Sequence, residues 1–276
     1  MKVWRLISSG FCSASQNMAY DEALLINYKR INKPSLRIYG FNSLSFSLGY
    51  FQNPLEILNW QECKRRNVFF VRRPTGGGLI PHKTELTYSI VCSRFDLGLK
   101  NNFKENLIKS LSLFIFKLYD KLGFKPRYPK NLKKNSKERK SWLCLLNLEP
   151  FDILVKEKKI GGFAQRRRKD LILQQGIILL NLEFGEISSL LKKEVKDIVR
   201  SCIGLKELLK REVSFEELSF FLKDSFQETL DCKLQESYFN KEEIELSKVL
   251  IRKYESREWN FHRKLPSNFP EKAFLA

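Results

Sequence analysis

The hydrophobic pattern of the first half of the chain alternates between strand-like and helix-like segments. The N-terminal residues predict a strand, and apolar positions from Gln16 to Arg30 recur at helical spacing, with Ser15 placed to cap the helix. A second helix is predicted at about 103 to 122, opened by a capping box of Asn102 and Glu105. Short apolar runs that predict strands are SLRIY, SLSFSLGY, VFFVR and LTYSIVC.

The second half of the chain begins with strand signals and ends with helical ones. FDILV and KIGGFAQ flank a polar KEK and predict a hairpin, and LILQQGIILL adds a strand. From about residue 187 the chain is rich in Lys, Glu and Leu at helical spacing. Adjacent hairpins predict an α+β fold with a mixed β-sheet flanked by helices. We expect a main part over 1–186 and a small helical portion over 187–276, packed on the same domain.

The composition is that of a globular protein. The chain has 276 residues, of which 43% are hydrophobic and 13% aromatic, so it can bury a large core without disulfides or metals. No stretch approaches the ~20 consecutive apolar residues of a membrane-spanning helix. The N-terminal apolar run is interrupted by Arg5 and is too short for a signal peptide. Membrane integration is therefore not expected.

The charge favours acidic partners without choosing among them. Fifty Lys and Arg residues stand against 31 acids, a net charge of +19. Nucleic acid, anionic lipid and an acidic carrier protein would all be attracted, although a merely solvated basic surface explains the same composition. The basic segment 130–140 lacks apolar residues and predicts a mobile loop. Neither it nor RRRK at 166–169 is interleaved with aromatic residues, which disfavours nucleic acid.

The cysteines predict reduced thiols and not a metal site. The six cysteines are scattered without a CxxC pair, and the chain has only two histidines, so the spacing of zinc ligands is absent. Reduced thiols fit a cytoplasmic location.

Two glycine-containing segments are candidates for chemistry. In RRPTGGGLIPH, at 72–82, three glycines between two strands let backbone N–H groups approach an oxygen-rich ligand, and Arg72 and Arg73 add directed donors. In KIGGFAQ, at 159–165, Gly161 and Gly162 would weaken a strand unless another group approaches there. A simple turn and a β-bulge are the structural alternatives.

Several further motifs occur in order along nearly the whole chain. They are NMAYDEALL, LRIYGF, SLGYFQ, VRRPTGGG, HKTELTYSI, KIGGFAQ, LQQG and KYESREWNF. Their order and spacing resemble the biotin/lipoate protein ligase superfamily, represented by lipoate-protein ligase A. The resemblance implies a mixed sheet flanked by helices, and members of the superfamily attach lipoate, biotin or octanoate to a protein lysine.

Cys144 distinguishes the branches of this superfamily. An ATP-dependent lipoate ligase makes an acyl adenylate and needs no cysteine, whereas a protein octanoyltransferase uses a cysteine at a fixed interval before the KxxG strand. Cys144 precedes Lys159 by 15 residues, which resembles the octanoyltransferase branch. A related amidotransferase has a shorter interval. The structural alternative is that Cys144, which lies within the apolar segment WLCLL, is only a small buried apolar residue.

The resemblance implies Cys144 and Lys159 as catalytic residues and no metal. A free thiol is only a few per cent ionised at pH 7, and a neighbouring ammonium would favour the thiolate nucleophile. Lys83 stands where the family has an aspartate after its histidine, and Asp21 and Glu22, which match a family helix, are expected to cap or to neutralise charge. The implied substrate-binding residues are Arg72, Arg73, Thr75, Gly76, Gly77, Gly78, His82, Gly161 and Gly162.

The sequence thus predicts a cytoplasmic enzyme of protein lipoylation. It would transfer octanoyl or lipoyl from acyl carrier protein, through a thioester on Cys144, to a lipoyl domain of the glycine cleavage H protein or of a 2-oxoacid dehydrogenase. No cofactor is expected. The alternatives are an ATP- and magnesium-dependent lipoate ligase, disfavoured because little chain follows KYESREWNF for an accessory domain, and a basic nucleic-acid-binding module.

Overall fold

The computed structural model describes residues 1–101, 103–130, 142–146, 148–182, 185–192, 198–267 and 269–270. Its strands are β1 (Lys2–Cys12), β2 (Ser35–Phe41), β3 (Ser45–Leu48), β4 (Phe69–Arg72), β5 (Ile80–His82), β6 (Glu85–Ser93), β7 (Leu154–Val155), β8 (Lys158–Lys159), β9 (Gly161–Arg168), β10 (Leu171–Leu179) and β11 (Cys232–Glu236).

The helices lie between and after these strands, and two further short segments, Cys144–Leu146 and Gly185–Leu190, are 3₁₀ turns. The α-helices are α1 (Ala14–Ile31), α2 (Pro54–Ile57), α3 (Trp60–Arg65), α4 (Lys104–Ser110), α5 (Leu113–Lys121), α6 (Ile198–Ser201), α7 (Leu205–Leu209), α8 (Phe215–Leu230), α9 (Lys241–Glu255) and α10 (Arg257–His262).

A six-stranded mixed sheet organises the fold, in the order β11-β1-β2-β6-β10-β9. Strand β1 is parallel to both of its neighbours, and the pairs from β2 to β9 are antiparallel. A three-stranded sheet, β4-β3-β5, and the β7-β8 hairpin complete the described strands. The predicted α+β fold with a mixed sheet is confirmed. Strand β9 lies at an edge of the main sheet.

Helices cover both faces of the main sheet. On one face α5 and α8 pack against strand residues, and Phe114 lies between Tyr88 and Phe226 with ring centroids 5.2 Å from each. On the other face α1 is sandwiched between the sheet and α9. This sandwich explains why α1 buries residues around most of its circumference. Its cap is Ser13, in a capping box with Gln16, and not Ser15.

The helix predicted at 103 to 122 is divided in two. Helix α4 ends at Ser110 and α5 begins at Leu113. At the break, the Ser112 hydroxyl donates to the Lys109 carbonyl (3.1 Å) and hydrogen-bonds the Tyr128 hydroxyl (2.9 Å). Local side-chain hydrogen bonds of this kind compete with the backbone hydrogen bonds of a helix. The apolar spacing of the sequence continues through the break and does not reveal it. The predicted cap Asn102 lies outside the described residues, and Phe103 at the N-cap makes no side-chain cap bond.

The C-terminal portion is not purely helical. Strand β11 pairs in parallel with β1 and extends the main sheet. Its sequence, CKLQE, is short and mostly polar because it lies at an edge, so no strand was predicted there. The boundary at 186/187 stays a prediction. Apart from Lys130, the basic segment 130–140 lies outside the described residues. Among the described helices, none combines the length and apolar content needed to cross a membrane.

Candidate active site

The triglycine loop between β4 and β5 is joined to the segment that carries Cys144. Leu79 donates from its backbone N–H to the Trp142 carbonyl (3.0 Å), and Cys144 donates to the Leu79 carbonyl (3.0 Å). A β-carbon on Gly78 would lie 2.5 Å from the backbone nitrogen of Cys144, and Gly77 has a φ of +92°. Both glycines are therefore required, one for close approach and one for its conformation.

Lys159 reaches the Cys144 turn from the β8 hairpin. Its Nζ donates to the Cys144 carbonyl oxygen (3.0 Å) and to Oδ2 of Asp152 (2.8 Å). Cys144 Sγ and Lys159 Nζ both lie within 4 Å of the position that a β-carbon on Gly162 would take. The structure thus brings together the two residues that the sequence nominated as catalytic, and Gly162 leaves the space between them open.

Lys159 is charged although it is buried. Burial by itself lowers the pKa of Lys159, but negative charge on the Cys144 sulphur and on the Asp152 carboxylate outweighs it and raises the pKa above its ordinary value. Its side chain is only 2% exposed. Lys159 is therefore a positive charge held in a fixed position beside Cys144. The alternative interpretation of the sequence, an ordinary solvated strand residue, does not fit its burial.

A narrow apolar slot opens beside Cys144. Its volume is only about 20 Å³, enough for about one water molecule. Thr75 does not line the slot but bonds a residue that does: its hydroxyl donates to Gln175 Oε1 (2.8 Å), and Gln175 Nε2 donates to Asp21 (2.7 Å). The lining side chains include Met18, Tyr39, Phe41, Ile80, Phe163 and Ile177.

Asp21 and Glu22 neutralise buried positive charge, as expected from the sequence. Asp21 accepts from Arg37 (2.7 Å), which is fully buried, and Glu22 accepts from Lys253 (2.5 Å) and Tyr254 (2.7 Å). These bonds tie α1 to β2 and to α9. Their role is to hold the wall of the slot in place.

A larger cleft opens on the other side of Cys144. Its volume is about 400 Å³, and it runs past the triglycine loop and along the outer side of β9. Glu149, Asp152 and Lys159 line it near Cys144, and Lys104 and Arg167 line it elsewhere. Cys144 is therefore the junction between an apolar slot and an open cleft lined by both polar and apolar residues.

The two arginines before the loop have different positions. Arg73 donates from Nη2 to the carbonyls of Gly76 (2.7 Å) and Gly78 (2.8 Å), so it shapes the loop and borders the slot. Burial lowers its pKa to about 10, which leaves it charged at neutral pH. Arg72 is 1% exposed and donates to the carbonyls of Tyr50, Gln52, Trp259 and Asn260. The structure does not bring Arg72 to the site, because its donors hold α10 and the chain after β3.

His82 has a carboxylate partner that the sequence comparison with the family did not reveal. Nδ1 lies 2.7 Å from Glu85 Oε1, and Nε2 lies 2.8 Å from Ser47 Oγ. The ring stacks on Phe41 with centroids 3.7 Å apart and borders the slot. Lys83 stands at the family's aspartate position, and the carboxylate beside the His82 ring comes from Glu85, two residues later.

The two glycines of KIGGFAQ serve different purposes. A β-carbon on Gly161 would lie 2.1 Å from the Ile177 carbonyl, so Gly161 permits the close pairing of β9 with β10, whereas Gly162 faces Cys144 and Lys159.

Asp152 is the functional candidate that the sequence did not single out. Its spacing of seven residues from Lys159, across a predicted hairpin, is the signal that could have found it.

A thiol beside a buried ammonium, between an apolar slot and an open cleft, is the arrangement expected of a transferase with a cysteine nucleophile. The sequence profile of the lipoyl protein ligase A/B catalytic domain matches residues 13–227, and the chain belongs to this family.

Full-length relatives and solved structures agree with this assignment. The octanoyltransferase LipM of Geobacillus kaustophilus is 35% identical over 95% of this chain and 99% of its own length. LipM of Bacillus subtilis is 32% identical over 95% and 99%. A lipoate-protein ligase A structure with bound ATP is 26% identical, with a TM-score of 0.78 over 95% of this chain and 99% of that one. The superfamily resemblance and the acyltransferase class predicted from the sequence are confirmed.

Proposed function

We propose that this protein is a protein octanoyltransferase that forms an acyl thioester on Cys144. The observation that carries the proposal is the position of Cys144, at the junction of slot and cleft with the Lys159 ammonium beside it. The LipM relatives, aligned over nearly their whole length, support the octanoyl group as the one transferred.

In the first half-reaction the Cys144 sulphur attacks the carbonyl carbon of an octanoyl thioester. The new C–S bond forms as the bond to the carrier sulphur breaks, and the departing thiolate takes up a proton from solvent. Lys159 places a positive charge beside the attacking sulphur during this step. Asp152 keeps that ammonium in position.

In the second half-reaction a neutral lysine amine of the acceptor attacks the Cys144 thioester. The amide C–N bond forms, the C–Sγ bond breaks, and the amine releases its proton to solvent. Cys144 is regenerated as a thiolate beside Lys159. Carrier and acceptor use the same open cleft in turn, because it is the cleft that leads to Cys144.

The triglycine loop supplies donors for the tetrahedral oxyanion. Cys144 cannot use its own N–H, which is bonded to the Leu79 carbonyl. In the described part of the chain, the N–H groups of Gly76, Gly77 and Gly78 have no hydrogen-bond partner, and all three glycines line the cleft. One such donor commonly contributes about 3 to 4 kcal/mol to the transition state. Arg73 holds the loop carbonyls, and thereby the loop conformation.

The apolar slot accepts the acyl tail. Each buried methylene contributes about 0.8 kcal/mol, so an eight-carbon chain gains several kcal/mol by leaving water. Because the slot has room for only about one water molecule, its side chains must move to admit the tail. Met18 is flexible and borders the slot, which makes it suited to that adjustment.

The partners and setting follow from the same chemistry. The donor is octanoyl-acyl carrier protein, and the acceptor is a lipoyl domain of the glycine cleavage H protein or a 2-oxoacid dehydrogenase. Both are acidic proteins, and the net charge of +19 favours their encounter with this chain. The reaction needs no cofactor, and the six free cysteines suit the cytoplasm.

Intact-mass analysis after exposure to octanoyl carrier protein tests the proposal. We expect an octanoyl adduct without ATP that hydroxylamine removes, and that Cys144→Ala lacks. Octanoylation of an added lipoyl domain should follow. Acceptor modification only with ATP and free octanoate, with release of pyrophosphate, would contradict the transferase and identify the ligase instead.

A further inference from the structure

The outer edge of β9 is a row of unpaired backbone groups beside the cleft. Strand β9 ends the main sheet, and in the described ranges it pairs only with β10. Every second residue of an edge strand directs its N–H and C=O away from the sheet. Phe163, Ala164, Gln165 and Arg167 of this strand line the cleft. An extended ligand in the cleft can therefore pair with backbone amides.

The cleft has a thiol at one end of this edge and a cation at the other. Gly162 lies against Cys144 Sγ, and Arg167 lies five residues further along β9. Arg167 is exposed and has no hydrogen-bond or ion-pair partner in the described ranges, and Lys104, also exposed, lines the same cleft. The acidic residues of the lining are Glu149 and Asp152. The Glu149 backbone N–H donates to Asp152 Oδ2 (2.7 Å), which also accepts from Lys159.

The separation along the strand matches a particular kind of thioester donor. Five strand residues span about 16 Å. The phosphopantetheine arm of an acyl carrier has thirteen bonds between phosphorus and sulphur, or about 15 Å when extended like a peptide chain. The arm carries two amides between a phosphate at one end and the thioester at the other. The phosphate, the two amides and the thioester therefore follow one another in the same order as Arg167, the β9 backbone and Cys144 in the cleft.

We propose that the phosphopantetheine arm of the acyl carrier binds extended along the outer edge of β9, with its phosphate at Arg167 and its thioester at Cys144. Its amides exchange hydrogen bonds with the strand backbone, as an added β-strand would. Lys104 adds a second positive charge to the cleft. This inference rests on the proposed function, since it assigns the donor side of the same reaction.

Matched small donors isolate the phosphate contact. Octanoyl-pantetheine and octanoyl-phosphopantetheine differ only by the phosphate, and the rate of Cys144 acylation is read by intact mass. We expect the phosphorylated donor to react about tenfold faster with the unmodified enzyme, because its phosphate accepts a charge-assisted hydrogen bond from Arg167. Arg167→Ala should remove that preference, so that the two donors react with the variant at equal rates.

Arg168→Ala is the matched control. Arg168 is exposed, lies next to Arg167, makes no ion pair in the described ranges and does not line the cleft, so its loss changes the net charge equally. We expect it to retain the phosphate preference.

A second donor analogue tests the amide contacts. An octanoyl-pantetheine analogue with both amides methylated should react several-fold more slowly, because it cannot donate to the strand edge.

The outcomes separate this inference from the proposed function. Equal rates for both donors with the unmodified enzyme, equal effects of Arg167→Ala and Arg168→Ala, or no effect of amide methylation would each overturn the binding mode while Cys144 still became acylated. Failure of every donor, octanoyl carrier protein included, to acylate Cys144 would instead overturn the octanoyltransferase proposal.

Discussion

Two cysteines lie close to the Lys159 segment, and their surroundings differ sharply. Cys144 is half-buried and borders both slot and cleft. Cys202 is fully buried, and its thiol donates to the Leu145 carbonyl (3.1 Å) while Ile203 N–H bonds the Lys159 carbonyl (2.9 Å). Proximity to an ammonium therefore does not by itself make a nucleophile. Access to a substrate decides between these two thiols.

The electrostatics of Cys202 support this comparison. Burial raises its pKa to about 12, although Lys159 opposes the shift. Cys202 therefore remains a neutral thiol at physiological pH and serves as a hydrogen-bond donor to the turn that carries Cys144. The same lysine can thus stand beside a reactive sulphur and an inert one.

Replacing Cys144 should have the largest effect. Cys144→Ala removes the attacking sulphur, so octanoyl transfer to a lipoyl domain should fall at least about a thousandfold, with no enzyme adduct. Cys12→Ser, at the half-buried thiol that ends β1, is the matched control and should keep nearly full activity. Residual transfer in Cys144→Ala above about a tenth of the original rate would contradict a thioester on this residue.

Replacing Lys159 should have the next largest effect. Lys159→Met keeps much of the volume but removes the charge, and we expect acyl-enzyme formation to fall about a hundredfold. Alkylation of Cys144 by iodoacetamide at pH 7 should also become slower. An unchanged alkylation rate would show that the ammonium does not act on the sulphur.

A second substitution separates this charge effect from instability. Lys159→Met leaves the Asp152 carboxylate buried without its ammonium, at an expected cost of about 3 to 5 kcal/mol. Combining Lys159→Met with Asp152→Asn removes both charges, so thermal stability should recover while alkylation stays slow. Recovery of both would mean that Lys159 acts only through folding.

Asp152→Asn alone should have a moderate effect. The amide can still accept a hydrogen bond from Lys159 but no longer carries a negative charge, so the lysine pKa should fall while the ammonium persists at neutral pH. We expect acylation to slow about tenfold at pH 7 and to decline further as pH rises toward 9. A uniform decrease at every pH would indicate displacement of Lys159 instead.

The sequence predicted much of this site because its local signals coincide with family motifs. The glycine loop, the KIGGFAQ strand and the Cys144–Lys159 spacing all identify residues that the fold brings together. The structure does not bring Arg72 to the site, and a pair of arginines in the sequence gives no sign of which one donates to backbone carbonyls. Glu85 and Asp152 were overlooked because their roles depend on contacts across a turn. Strand β11 was missed because pairing with β1 depends on tertiary position and not on its own pattern.

Cys202→Ser should have the smallest effect and completes the comparison of the two thiols. The hydroxyl can still donate to Leu145, so acyl transfer should stay within about threefold of the original rate.

The pH dependence of stability should change more clearly in Cys202→Ser than its activity does. An unfolded cysteine ionises near pH 9, whereas folded Cys202 resists ionisation until about 12. The native protein therefore loses stability as pH rises through this interval, by about 1 kcal/mol from this thiol at pH 10. Serine does not ionise there, so Cys202→Ser should show a smaller decline in urea-denaturation free energy between pH 8 and 10 than the unmodified protein does. Equal declines would show that Cys202 is more accessible to solvent than its buried position implies.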